Sequence, residues 1–275
     1  MQQKDTKDKD VKDIPGSVQR GTEDALESAK QEVTRARVPW YRAIQRGEVL
    51  MIFDVIVLVL FGLLAWWVHI HPVLSVDVAI TQEFQENQSV WLRDLMLAVS
   101  YPGTQYILQT ALILVAAVIF WLFDMRLEAL FIVGLSAISA LLNLVIKLVV
   151  ARPRPTPRLV DVIQIAQGLS FPSGHVMSYM ALWGLLFSFG VILFRGHPWW
   201  RVALLVVSGL FVVLVGPSRI YLGDHWASDV LGAYLIGIVL ICLALFLFLK
   251  LKELGVLAPR RSRHYMRHFR RIGES

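Results

Sequence analysis

Charged residues are scarce in this sequence. Only 17% of its 275 residues are Asp, Glu, Lys or Arg, whereas 56% are hydrophobic. Several apolar runs reach about 18–22 residues, which is long enough to cross a bilayer core of roughly 30 Å. A soluble domain rarely has this composition, so the sequence excludes an ordinary soluble protein and indicates an integral membrane protein.

Cysteine is almost absent. Cys242 is the one cysteine of the chain, and it lies within an apolar run, so an internal disulfide is excluded. Residues 1–48 contain no short apolar core followed by a small-residue cleavage site, so we expect no cleavable signal there. We predict a polar, partly disordered N-terminal segment over 1–48, a membrane domain over 49–250 and a basic tail over 251–275.

Six apolar runs predict six membrane-spanning helices. Helices are expected because a backbone in lipid must pair its polar groups within its own segment. The predicted fold is therefore all-α, a polytopic bundle of six transmembrane helices. A further stretch, 89–99, has apolar residues at helical spacing and predicts an interfacial helix. The six runs are 49–70, 106–123, 129–151, 175–194, 202–217 and 226–249.

The distribution of Lys and Arg predicts the orientation. With six spans, both termini and two short Arg-containing links fall on one side, which should be the cytoplasm. We expect a multi-pass protein of the cell membrane, with both termini cytoplasmic. The basic tail suits anionic lipid headgroups, and it favours a membrane partner over nucleic acid. Four arginines then lie on the outer side, although Lys and Arg usually favour cytoplasmic loops. They need another explanation, and they are Arg152, Arg154, Arg158 and Arg219.

Three cations at the outer ends of the predicted helices together suit the binding of a multiply charged anion. Arg154 and Arg219 offer planar forks that match phosphate oxygens, and Lys147 is a compact point charge. Ser173 and Gly174 begin the fourth predicted helix, where free backbone N–H groups and the helix dipole favour an anion. Because these residues all lie at outer helix ends, we expect them to meet in space.

Two histidines add reactive groups to the same membrane face. His225 and Asp229 are four residues apart and share one helix face, so the carboxylate can fix the imidazole tautomer. The other nitrogen is then free to attack. His175 is a second imidazole, suited to protonating a leaving oxygen. Each signal alone is also typical of interfacial pairs, snorkelling lysines and common turns, but together they indicate a phosphate-handling site.

The ordered motifs resemble those of the type 2 phosphatidic acid phosphatase family, also called lipid phosphate phosphatases. K-x6-R-P is matched by Lys147, Arg154 and Pro155, and P-S-G-H by residues 172–175. S-R-x5-H-x3-D is matched by Ser218, Arg219, His225 and Asp229. The resemblance covers about 50–250, including the six-helix layout, and excludes both tails.

The resemblance implies a role for each matched residue. His225 would be the nucleophile that forms a phosphohistidine, and Asp229 would orient it. His175 would protonate the leaving group and then activate water. The phosphoryl oxygens would be held by Lys147, Arg154, Ser173, Gly174 and Arg219. The family needs no metal, so we expect no metal or other cofactor. Asp224 matches no motif position and is interpreted only as a cap of the sixth helix.

Several substrates and alternatives stay open. The resemblance is compatible with phosphatidate, phosphatidylglycerophosphate, diacylglycerol pyrophosphate or undecaprenyl diphosphate as the lipid phosphate substrate. A phosphotransferase on the same scaffold and a non-catalytic membrane scaffold or transporter are the alternatives. Vanadium haloperoxidases share a related oxyanion site, but their examples are soluble, and six spans disfavour that reading. The oligomeric state is not predicted by the sequence.

Overall fold

The described part of the chain is helical throughout. The computed structural model describes residues 47–194 and 196–257, in which eight helices and no strands are found. The predicted segments 1–48 and 251–275 therefore lie outside the described residues, apart from 47–48 and 251–257. The helices are α1 (Gly47–Ile70), α2 (Ser75–Gln85), α3 (Val90–Thr104), α4 (Tyr106–Leu122), α5 (Arg126–Val150), α6 (Gly174–Ile192), α7 (Trp199–Tyr221) and α8 (Ala227–Glu253).

Five helices are each long and apolar enough to cross a membrane, namely α1, α5, α6, α7 and α8. A sixth span is obtained if α3 and α4, whose axes differ by 74°, are counted together. The prediction of an all-helical polytopic membrane protein is therefore confirmed, with five or six spans. The domain boundaries and the sidedness of the helix ends stay predictions.

The burial pattern is that of a protein in lipid, with apolar side chains outward. Ile52, Val59, Leu144 and Val213 are each more than half exposed, as a lipid-facing surface requires. The buried side chains concentrate around α6, which is the central helix of the bundle. They include Phe171, Val176, Tyr179, Leu185 and Phe189, all fully buried.

A sharp bend separates α3 from α4. Gln105 joins them with an extended backbone, φ −94° and ψ 98°, and Pro102 lies inside the last turn of α3. The predicted interfacial helix over 89–99 is the first part of α3. Its Met96 packs against Tyr221 and Leu222 at the end of α7. The bend places the C-terminal end of α3 beside the N-terminal end of α6.

Helix α7 is longer than the predicted span 202–217, because it continues through Pro217 to Tyr221. The predicted span ends before Arg219 because a charged side chain is expected to face water. In the structure Arg219 is 1% exposed and paired within the protein, so the helix continues.

Helix α8 packs closely against the loop before α6, so adding one methyl group at this contact should destabilise the fold. A Cβ at Gly232 would lie 2.5 Å from ring carbons of Phe171, which stacks on Phe61. Gly232→Ala should lower the free energy of unfolding in detergent by about 1–3 kcal/mol through overpacking. Gly62→Ala is the matched helical control, since nothing lies within 4 Å of its Cβ. Equal thermal shifts in the two variants would contradict this packing.

Candidate active site

The predicted site residues converge at one end of the bundle, around a cavity of about 570 Å³. They come from the end of α5, the loop that follows it, the start of α6, the end of α7 and the start of α8. Six of the eight predicted residues line the cavity, namely Lys147, Arg154, Gly174, His175, Arg219 and His225. Asp229 lies behind the wall, fully buried. Ser173 is also fully buried, and its hydroxyl has no hydrogen-bond partner.

The contacts of His225 define one tautomer. Its Nε2 lies 3.2 Å from Nη1 of Arg154, which can only donate, so Nε2 carries a lone pair. Its Nδ1 lies 3.4 Å from Ser170 Oγ and 3.5 Å from Asp229 Oδ2. The Ser170 hydroxyl donates to Oδ2 of Asp229, so its oxygen is free to accept from Nδ1–H. The proton therefore sits on Nδ1, and the lone pair of Nε2 points toward Arg154 at the cavity wall.

The surroundings of His225 keep it neutral. Burial lowers the pKa of His225 well below its usual value, and the charges of Arg154, Lys147 and Arg219 lower it further. A neutral imidazole is the form that can use its lone pair on phosphorus. The three cations that suit a phosphoryl group thus also maintain the reactive form of the histidine.

Asp229 is held chiefly by residues that the motifs do not contain. Its Oδ1 accepts a hydrogen bond of 2.7 Å from Nη1 of Arg152, and its Oδ2 accepts from the backbone N–H of Trp226 at 2.9 Å and from Ser170. The hydrogen bonds from Arg152 and Trp226 are therefore shorter than the 3.5 Å contact between Asp229 and His225. Asp229 therefore contacts the imidazole together with Ser170, from a position set by Arg152.

Arg152 connects Asp229 to a second buried carboxylate. Its Nη2 forms an ion pair of 2.7 Å with Asp77 of α2, and its Nε donates to the carbonyl of Pro72. Ser228 completes the network, since Asp77 accepts from its N–H and from its hydroxyl. Sequence reasoning noted Arg152 only as a charge on the wrong side and missed Asp77. The sequence feature that could have indicated this network is Arg152 itself, an arginine in the loop after α5 that matches no motif position.

Asp224 does not cap the last helix, contrary to the prediction. Its Oδ2 forms a buried ion pair with Nη2 of Arg219, while the carboxylate of Asp229 accepts the N-terminal N–H of Trp226. The reason is the turn at Gly223, whose φ of +71° directs Asp224 back toward α7. Burial raises the pKa of Asp224 to about 6, against the opposing effect of the Arg219 charge. Asp224 thus fixes one of the three cavity cations.

His175 is positioned by the end of α3. Its Nε2 lies 3.1 Å from the hydroxyl of Thr104, and Gln164 reaches the same hydroxyl. Gly103 allows this approach, since a Cβ there would lie 2.5 Å from Cδ2 of His175. Neither Thr104 nor Gly103 was predicted, because the sequence gave no sign that α3 reaches the start of α6.

The remaining two cations organise the loop between α5 and α6. Lys147 donates to the carbonyls of Leu169 and Ser170, at 2.6 and 3.2 Å. Arg154 donates to the carbonyl of Asp224 at 2.8 Å as well as contacting His225. Burial lowers the pKa of Arg154, which the charges of Asp224 and Asp229 partly offset. Both side chains therefore join the loop to the cavity wall.

A metal site has no obvious donors in this part of the chain. Over 47–194 and 196–257, no three His, Cys, Asp or Glu side chains are grouped so as to hold a metal ion. The charges at the cavity wall are cationic instead. The arrangement is suited to holding a multiply charged anion beside a neutral imidazole.

The Arg152 network generates a stability prediction. Arg152→Gln leaves Asp77 and Asp229 as buried carboxylates without their ion-pair partner, so the free energy of unfolding should fall by about 3–5 kcal/mol. Arg158→Gln is the matched control, because Arg158 belongs to the same loop and is exposed. Thermal unfolding in detergent compares the two. Equal stability of Arg152→Gln and the native protein would contradict the role given to the network.

Sequence comparison identifies the family to which this chain is similar. Residues 127–253 match the family model of the PAP2 superfamily. The chain is 33% identical over 155 residues to undecaprenyl-diphosphatase BcrC of Bacillus subtilis, spanning 55% of this chain and 72% of that protein. It is 29% identical over 182 residues to phosphatidylglycerophosphatase B of the same organism, spanning 66% of this chain and 87% of the relative.

Structural comparison agrees with the sequence. A crystal structure described as the first transmembrane PAP2 type phosphatidylglycerolphosphate phosphatase from Bacillus subtilis superimposes with a TM-score of 0.61. The identity is 26%, and the match covers 75% of this chain and 98% of that one. The family predicted from the three motifs is thus confirmed, and this membrane protein belongs to the PAP2 superfamily.

Proposed function

We propose that this protein is a metal-independent lipid phosphate phosphatase that works through a phosphohistidine on His225. The observation that carries the proposal is the lone pair of His225 Nε2, which lies at a cavity lined by three cations and a second imidazole. The relatives named as phosphatidylglycerophosphatase and undecaprenyl-diphosphatase support a lipid phosphate or diphosphate as the substrate class.

In the first step, Nε2 of His225 attacks phosphorus and forms a P–N bond. The P–O bond to the leaving group breaks, and its electron pair stays on the leaving oxygen. His175 gives its proton to that oxygen, which departs as a lipid alcohol or a lipid monophosphate. The imidazole of His225 acquires positive charge, which the buried carboxylate of Asp229 and the hydroxyl of Ser170 stabilise.

In the second step, His175, now neutral, takes a proton from water. The water oxygen attacks the phosphohistidine, the P–N bond breaks, and the electron pair returns to Nε2 of His225. Inorganic phosphate leaves, and both imidazoles regain their starting forms. If another hydroxyl replaced water, the same step would be a phosphotransfer, so product analysis separates these two activities.

The three cations supply the electrostatic stabilisation in both steps. Arg154 lies beside the nucleophile, Arg219 is held by Asp224, and Lys147 is fixed on loop carbonyls. Preorganised donors of this kind stabilise negative charge on phosphoryl oxygens without reorganisation during the reaction. The backbone N–H of Gly174 lies beside them at the start of α6, and we propose that it adds a hydrogen bond, whereas the N–H of Ser173 donates to the carbonyl of Asp229 at 3.2 Å.

We further propose that the site faces the outer side of the cell membrane and that both termini are cytoplasmic. The support is the distribution of Lys and Arg in the sequence. Within the structure, Arg126 and Lys252 lie at the end of the bundle opposite the site, where Lys252 pairs with Glu128. The basic tail over 251–275 would then meet anionic headgroups of the inner leaflet.

Removal of the nucleophile tests the reaction. Purified His225→Ala should release no phosphate above background from phosphatidate, phosphatidylglycerophosphate or undecaprenyl diphosphate, while the native protein remains active in excess EDTA. The fold of the variant is checked by thermal unfolding in detergent. Native-level activity in folded His225→Ala would remove the nucleophile from the proposal, and loss of native activity in EDTA would remove metal independence.

The pH dependence tests the environment of His225. The rate should be bell-shaped, since His225 must be neutral and His175 protonated in the enzyme–substrate complex, where the negative charge of the phosphoryl group offsets the cavity cations. Because the pKa of His225 is lowered, the acid limb should appear as the pH drops through that lowered value, below 6.5. Arg154→Gln removes the largest charge that lowers this pKa, so the acid limb should move up by roughly one pH unit. Arg154→Lys keeps the charge and should keep the limb. An unmoved limb in Arg154→Gln would overturn the assignment.

A further inference from the structure

The imidazole of His175, the acid of the proposed reaction, has different surroundings at its two edges. A Cβ at Gly103 would lie 2.5 Å from Cδ2 of His175, so the edge formed by Cδ2 and Nε2 faces the end of α3. The opposite edge contains Nδ1, which has no hydrogen-bond partner among the described residues and is not a fully enclosed atom. Because His175 lines the cavity, Nδ1 is the nitrogen that a bound molecule can reach.

The hydroxyl of Thr104 determines which proton His175 keeps. Thr104 donates its own proton to the carbonyl of Ser100 at 3.2 Å, so its oxygen can only accept from its other neighbours. One of these neighbours is Nε2 of His175 at 3.1 Å, and another is the side-chain amide of Gln164 at 3.4 Å. Nε2 therefore carries a proton that it donates to Thr104, and this contact leaves Nδ1 for the cavity.

The residues around Thr104 also contact Arg219, one of the three cavity cations. Gln164 accepts from Nη1 of Arg219 through Oε1 at 3.4 Å, while its amide nitrogen donates to Thr104. Ser100 lies one helical turn before Thr104, and its hydroxyl accepts from the same Nη1. Two side chains of α3 and one of the loop before α6 therefore join the imidazole of His175 to a cation of the cavity.

We propose that Thr104 is a positioning residue for the general acid, and that His175 exchanges its proton with the substrate through Nδ1. In the first step, the Nδ1–H bond breaks, its electron pair stays on Nδ1, and the proton moves to the leaving oxygen. In the second step, Nδ1 takes a proton from the attacking water. The Nε2–H bond stays intact and hydrogen-bonded to Thr104 in both steps, so the ring needs no rotation between them.

The three motifs do not imply this role for Thr104. It lies in α3, before the residues 127–253 that match the family model, and its contact with His175 joins segments 71 residues apart. The contact is available only because the bend after α3 brings that helix end to the start of α6. The inference rests on the proposed phosphatase mechanism and adds to it a residue outside the motifs.

The test compares two leaving groups in detergent micelles. An alkyl phosphate needs a proton on its leaving oxygen, whereas a nitrophenyl phosphate with the same hydrocarbon chain leaves as a stable anion. The measured quantity is the alkyl-to-nitrophenyl ratio of kcat/KM, which includes cleavage of the P–O bond and excludes hydrolysis of the phosphohistidine. Thr104→Val should lower this ratio by about 10–100-fold, the effect of one hydrogen bond to a charged group. The ratio within one preparation does not depend on how much of the variant is folded.

Three further variants calibrate this ratio. Thr104→Ser keeps the hydroxyl and should keep the native ratio. Thr110→Val makes the same change at an exposed position of the same cavity wall, and it should also keep the native ratio. His175→Ala removes the acid itself, so it sets the largest loss that Thr104→Val can approach.

Nitrogen NMR of protein with isotope-labelled histidines tests the tautomer. The signal of His175 is identified by its absence from the spectrum of His175→Ala. Neutral His175 should carry its proton on Nε2, because Thr104 accepts from that nitrogen. A proton on Nδ1 of neutral His175 would overturn the assignment of Nδ1 as the nitrogen that exchanges with the substrate.

The outcomes separate this inference from the proposed function. A native ratio in Thr104→Val would overturn the role of Thr104 and leave the phosphatase proposal intact. A native ratio in His175→Ala would remove the general acid from the proposed mechanism, and this inference with it. If native protein releases phosphate from neither substrate, the proposed function itself fails.

Discussion

The guanidinium of Arg152 pairs with two buried carboxylates, Asp77 and Asp229, and the arrangement of the site depends on this contact. It joins α2, the loop after α5 and the first turn of α8, three segments far apart in sequence. A buried charge is tolerated only when its hydrogen-bonding capacity is met, and Arg152 meets it with Pro72 and Ser228 as well. Any displacement of one partner would leave a charge unpaired, so the three segments hold a common position.

The three cavity cations also have hydrogen-bond partners within the protein, but these partners differ in kind. Arg219 is paired with Asp224, whereas Arg154 and Lys147 donate to backbone carbonyls and retain their charge toward the cavity. The local field is therefore positive around a neutral His225. In the proposed reaction, one set of charges would both attract the phosphate and preserve the lone pair of His225.

The sequence predicts the membrane class, the helical fold and the family, because apolar runs and ordered motifs are local signals. It also predicts six of the residues that line the cavity, since each motif lies at a helix end. It does not predict Asp77, Ser170 or Thr104, which reach the site through contacts between segments 55–75 residues apart. Asp224 was misassigned for a related reason. Its neighbours suggested a cap, whereas the turn at Gly223 sends the side chain to another helix.

The bend between α3 and α4 has a consequence for the surrounding bilayer. Because the axes of α3 and α4 differ by 74°, the two helices do not form one straight span, and α4 alone has 17 residues. Such a helix is about 25 Å long, which is less than the roughly 30 Å of a typical hydrocarbon core. A bilayer adapts to a short hydrophobic segment by thinning around it. A bilayer that meets only α4 on this side would therefore be thinner there, and its headgroups would lie closer to the cavity that α4 lines.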